Sequence, residues 1–165
     1  MNENELCNVF KHEHLKNIMK NDKTIEALNL LIQINNDRIE GYETAIKETN
    51  ETDLKKLFTD LMSTSFKSKN ELANEVTSLG GTSTESTKIT GKFFRVWMDV
   101  KVALSKNDRK VILNSCEFGE QVAIETYDKV LKNNTEDLNE EQLKMIQLQY
   151  KLINADYHIV KNFKK

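Results

Sequence analysis

Apolar residues recur along this chain at alternating intervals of three and four, the period of a helix that buries one stripe and solvates the rest. Leu28, Ile32, Asn35, Ile39, Tyr42 and Ile46, widened by Leu31, Ile34 and Ala45, predict a first long helix over about 22–49. Asn21 or Asp22 stands where an N-cap belongs. Asn50 to Thr52 is then a short turn, and Leu54, Phe58, Leu61, Ser65, Ser68, Leu72, Val76 and Leu79 mark a second helix over 52–79. So brief a connection makes the pair an antiparallel hairpin. Gly80-Gly81 supplies the left-handed stop that only glycine adopts cheaply. A third helix over 107–132, capped by Asn107 or Asp108, carries Leu113, Cys116, Glu120, Ala123, Ile124, Tyr127 and Leu131 on one face. A fourth over 139–162 carries Leu143, Ile146, Tyr150, Ile153, Tyr157 and Val160, with Leu148, Leu152, Ile159 and Phe163 as a second apolar flank.

Between the second and third helices lies a polar loop, and then a shorter helical stretch over about 91–104 containing Phe93, Phe94, Trp97, Val100 and Leu104. About fourteen helical residues span roughly 20 Å, enough to carry the chain back along a bundle. Helices two and three are therefore expected to run parallel. The aromatic residues of this crossover either pack on their own bundle or form a dimer seam. Residues 1–20 read as a docking arm or a frayed helix, with Leu6, Val9, Phe10, Leu15, Ile18 and Met19 scattered along it. His12-Glu13-His14 suggests a metal site, but histidines two apart point to different sides of a helix and no third ligand is near. A solvated polar stretch is the better reading.

Composition narrows the picture. The chain of 165 residues has no proline and only five glycines, which argues for uninterrupted helices in a single all-α domain. A hydrophobic content of 38% suits helices with one buried stripe. The 24 basic and 26 acidic residues nearly cancel, with no basic face for nucleic acid. No apolar run approaches the ~20 residues of a membrane span. The charged N-terminus is unlike a signal peptide, and Cys7 and Cys116 form no disulfide framework, so a cytoplasmic protein is expected.

Several phrases, LIQINNDRIEGYETAIKET, ELANEVTSLGGT, FRVWMDVKVAL and CEFGEQVAIETYDKVL, make the chain resemble an uncharacterised bacterial ferritin-like four-helix-bundle family, a domain of unknown function. The resemblance covers roughly residues 22–165. It implies a fold related to rubrerythrins and bacterioferritins, and no established activity.

Glu120 is the residue that raises the functional question, because it is a carboxylate midway along a core stripe. Di-iron bundles set one glutamate on each of two helices and Glu-x-x-His on each of the other two, all inward. Here the corresponding inward positions hold Asn35, the pair Ser65 and Ser68, and Tyr157 preceded by Asn154, with His158 about 100° round the helix. Only Glu120 is in place. Two readings follow. In the first, Asn35, Ser65, Ser68, Glu120 and Tyr157 converge as a buried polar layer, with no cofactor, in a non-catalytic bundle that binds partners or serves in stress. In the alternative, a rotated set of Glu43, Glu117, Glu120 and His158 binds iron. No nucleophile–base constellation or phosphate loop is visible, so the chain is not read as an enzyme. A homodimer is expected through Phe93, Phe94 and Trp97 or through the fourth helix.

Overall fold

The computed structural model describes residues 3–86, 98–103, 106 and 108–164, with side chains from residue 12 onward except that of residue 14. Four long helices, α1 (Glu3–Glu48), α2 (Thr52–Ser78), α3 (Arg109–Asn133) and α4 (Glu140–Phe163), make the described chain all-α. Residues 98–103 form a further helical stretch that precedes α3 in the chain. Phe93, Phe94 and Trp97 lie outside the described residues.

One boundary differs from the sequence reading. α1 runs unbroken through Asn21 and Asp22; residues 15–23 are exposed, and burial begins at Thr24. Asn and Asp inside a helix cost only tenths of a kcal/mol each, and the first glycine is Gly41, so nothing stops the helix there. Thr24 marks the entry to the bundle: its hydroxyl donates to the Asp137 carbonyl in the turn between α3 and α4, at 2.7 Å.

The other ends are capped by local chemistry. Gly80, at φ +78°, takes the left-handed position after α2, and Gly81 N–H reaches back to the Val76 carbonyl at 2.9 Å. Gly81 is required for a different reason, since a Cβ there would meet the Ile25 side chain at 2.8 Å. Asp108 caps α3 by accepting from Val111 N–H at 3.1 Å. Asn139 and Gln142 form a reciprocal capping box at the start of α4, each side chain accepting from the other's backbone N–H at 2.8 Å.

Cross-helix pairs fix the directions. Going up α1, Asn35 meets Tyr127 and Arg38 meets Glu120, so α1 and α3 are antiparallel. Going up α2, Thr64 meets Asp156 and Glu71 meets Gln149, so α2 and α4 are antiparallel too. With two antiparallel hairpins, α2 and α3 must run parallel. Arg109 at the start of α3 confirms it by pairing with Glu51 and Asp53 at the start of α2, at 2.5 and 2.6 Å.

The core falls into two apolar clusters. One, around Leu28, Leu31, Ile32, Leu72, Val76, Ala123, Ile146 and Ile153, lies toward the Gly80 end. The other, around Ala45, Leu54, Phe58, Leu61, Val100, Ile112, Leu113 and Val160, lies toward the opposite end. A polar layer separates them.

Candidate functional site

The layer is built by helical spacing on all four helices. α1 contributes Asn35, Arg38 and Tyr42, three and four residues apart and so on one face. α2 contributes Thr64, Ser65 and Ser68; α3 contributes Glu120 and, seven residues on, Tyr127; α4 contributes Gln149 and, seven residues on, Asp156.

Arg38 is the centre. It is wholly buried. Its Nε and Nη2 both donate to Glu120 Oε1, at 3.2 and 3.0 Å, and Nη2 also reaches Glu120 Oε2 at 2.8 Å. Nη2 donates further to Asp156 Oδ2 at 2.9 Å, and Nη1 donates to Ser65 Oγ at 2.6 Å. The Tyr42 hydroxyl donates to Glu120 Oε1 as well, and Thr64 donates to the other oxygen of Asp156 at 3.4 Å. Such a planar, permanently charged fork suits a buried carboxylate better than a lysine would.

A second chain of hydrogen bonds lies toward the Gly80 end. Asn35 Nδ2 donates to the Tyr127 hydroxyl at 2.8 Å, and that hydroxyl donates to Gln149 Oε1 at 3.0 Å. Gln149 Nε2 donates onward to Glu71 at 2.9 Å and to the Ser68 carbonyl at 3.3 Å. The Ser68 hydroxyl is near enough to Tyr127 to lower its pKa but makes no hydrogen bond of proper geometry.

Charge in so dry a place is held by its partners. Burial pulls the Arg38 pKa down, but Glu120, Tyr42 and Asp156 together outweigh it and leave the guanidinium above its ordinary value. Burial, reinforced by Glu120, pushes the Tyr42 phenol well up, so it stays a donor. Burial raises Tyr127 to about 12. The Cys116 thiol is also raised by burial and by Glu120, and is an inert core group.

Two aspartates titrate nearer neutrality. Burial, offset in part by Arg38 and reinforced by Glu120, lifts Asp156 to about 6. Burial and then Glu40 lift Asp37, on another face of α1, to about 7. Both folded values exceed the ordinary 3.8, so their contribution to stability is complete below about pH 3.8 and is lost as pH rises through about 6 and about 7. The melting midpoint is therefore expected to climb as pH is lowered from about 8 to about 5. Asp37→Asn should remove the upper step and Asp156→Asn the lower, and a midpoint that falls over this range contradicts the assignment.

Of the five residues expected in a polar layer, Asn35, Ser65, Ser68 and Glu120 are buried at mid-bundle. Neither Ser65 nor Asn35 meets Glu120 directly. Ser65 holds Arg38 and Asn35 holds Tyr127. Tyr157 lies half-buried at the α3–α4 edge, donating to Glu117 at 3.2 Å. Asp156, about 100° round the helix, takes the inward place instead. The shifted set Glu43, Glu117, Glu120 and His158 is not brought together. Glu43 lies exposed with Lys47 at 2.9 Å, Glu117 joins Tyr157 and Lys164, and His158 is exposed, edge-on to Tyr157. His12 and Glu13 are exposed and line an open groove of about 990 Å³ beside Glu136 and Asp137.

The donor set does not fit a di-metal centre. Glu120 spends both oxygens on Arg38 and Tyr42, and the guanidinium already supplies the local positive charge. Among the described residues no three His, Cys, Asp or Glu side chains are grouped to hold a metal ion. Nor is any helix there long and apolar enough to cross a membrane.

Fold and site together define an all-α protein with a buried arginine–carboxylate layer in its core. The chain belongs to the family described as a domain of unknown function (DUF2383), whose model matches residues 23–133. That stretch begins where α1 enters the bundle and ends with α3, so Arg38, Ser65 and Glu120 fall inside it, while Gln149 and Asp156 lie beyond. No curated protein matches the chain.

Proposed function

We propose that this is a non-catalytic, ferritin-like bundle that acts through its surface, with an ion pair standing where metal-carrying relatives by fold hold their ions. Two antiparallel hairpins, with parallel middle helices joined end to end, support the ferritin-like assignment. The observation that carries the functional reading is the fully buried Arg38 fork on Glu120. A cation fixed among the inward carboxylates repels a metal ion and consumes the lone pairs it would need. Arg38, Glu120 and Asp156 are committed to one another, so the ion-pair network leaves no base or open coordination position at its centre.

The surface offers contact groups instead. Leu15, Ile18 and Met19 are 52, 44 and 64% exposed on the projecting part of α1, and partner binding is the role that such a projection suits. The test is metal content. Purified chain exposed to ferrous iron under anaerobic conditions and then desalted is expected to retain far less than one iron per chain, with an unchanged melting midpoint. Stoichiometric iron overturns the reading.

A further inference from the structure

We infer that the outer face of α4 is a self-association surface, on which a second copy of this chain packs antiparallel. Leu148, Leu152, Ala155 and Ile159 fall within a narrow arc of α4, turned away from the core stripe of Ile146, Ile153 and Val160. Leu148 and Ile159 are 57 and 48% exposed. Other exposed apolar groups lack the intervening apolar residues that join Leu148 to Ile159 into one seam: Phe66 stands on α2, Val111 and Phe118 stand seven residues apart on α3, and Met98 and Val102 lie on the short helical stretch before it.

The occupant follows from the order of the residues. Intervals of four, three and four are those of a coiled-coil seam. They also read the same in both directions, about a midpoint between Ile153 and Asn154. A two-fold interface must be self-complementary in this way, with residue i facing j while j faces i. Reversing one α4 against another sets Leu148 opposite the partner's Ile159 and Leu152 opposite the partner's Ala155, large against small. Charge selects the same direction. α4 opens on Glu140 and Glu141 and closes on Lys161, with Lys165 following; Lys164 is already paired with Glu117 of its own chain. Antiparallel packing brings the acidic turn of each copy to the basic end of the other and opposes the helix dipoles, whereas parallel packing stacks like on like. The exposed apolar positions of the α1 extension, Leu15, Ile18 and Met19, stand at intervals of three and one and do not read the same in both directions.

Light scattering and sedimentation of the full chain at ~100 μM, well above a micromolar Kd, test the surface. The expected mass is twice the 19.1 kDa of one chain, falling on dilution. Leu148→Glu alone and Ile159→Lys alone should each give monomer with unchanged far-UV circular dichroism. Mixing those two variants should restore a dimer, because position 148 of one copy then faces position 159 of the other with opposite charge. A monomeric wild type, a dimer insensitive to both substitutions, or a mixture that stays monomeric overturns the inference.

Discussion

Arg38→Met is expected to destabilise the protein by about 3–5 kcal/mol, the cost of leaving a buried charge without its partner. For a chain of this size that lowers the melting midpoint by on the order of 10 °C. The methionine fits the volume of the arginine stem, so packing loss is a minor part. The damage is electrostatic. Glu120 and Asp156 are left without their shared cation, with Tyr42 still donating to Glu120 and Thr64 to Asp156. Each must then take up a proton or draw in water. The variant should regain stability on acidification more steeply than the wild type, because two carboxylates rather than one are relieved by protonation. Thermal melts at two pH values check both parts, and a loss below about 1 kcal/mol, the worth of a surface pair, would sink the account of the layer.

Phe58→Ala should cost about as much, 3–5 kcal/mol, by a different route. Phe58 is wholly buried in the apolar cluster beyond the polar layer, with its ring stacked on Tyr42 at 5.7 Å. Removing it opens a cavity that Leu54, Leu61 and Leu113 cannot close without moving their helices. It also frees Tyr42, whose hydroxyl holds Glu120, so packing and electrostatics are coupled at this ring. Phe118→Ala is the matching control. That ring is 49% exposed, and its loss should fall within about 0.5 kcal/mol of neutral. Denaturant melts of the two variants separate buried from exposed phenylalanine directly.

The helices were legible because three-four periodicity over twenty or more residues, without proline, admits little else. Their directions were legible from loop length alone. What misled was local chemistry read without tertiary context. Asn21-Asp22 looks like a cap, yet a cap forms only where the chain turns, and here it continues as helix. Arg38 was missed for a related reason. Leu28, Ile32, Asn35, Ile39 and Tyr42 make one acceptable stripe, but Leu28, Leu31, Asn35, Arg38, Tyr42 and Ala45 make another of equal quality. A charge in the second made the first look preferable. On α4 the same one-residue ambiguity favoured Tyr157 over Asp156.

Two signals pointed to Arg38. Glu120 stood on a core stripe with no cation to meet it, and a buried carboxylate without a partner is costly. The chain also has 21 lysines and only three arginines, so an arginine on a helix face draws attention as a fork rather than a point charge. Arg38 and Arg109 both meet two carboxylates.

The layer sets the two halves of the core in register. Sliding α1, α3 or α4 by a turn would bury an unpaired charge in one of the apolar clusters, which is how a buried polar group specifies alignment. The energetic trace of this arrangement is coupling between Arg38 and its carboxylate. A double-mutant cycle with Arg38→Met and Glu120→Leu measures it most directly. Each single substitution should be strongly destabilising. The double variant should be far less so than their sum, with a coupling of about 1.5 kcal/mol or more in favour of the pair. Additive losses would contradict a buried Arg38–Glu120 pair at the centre of this fold.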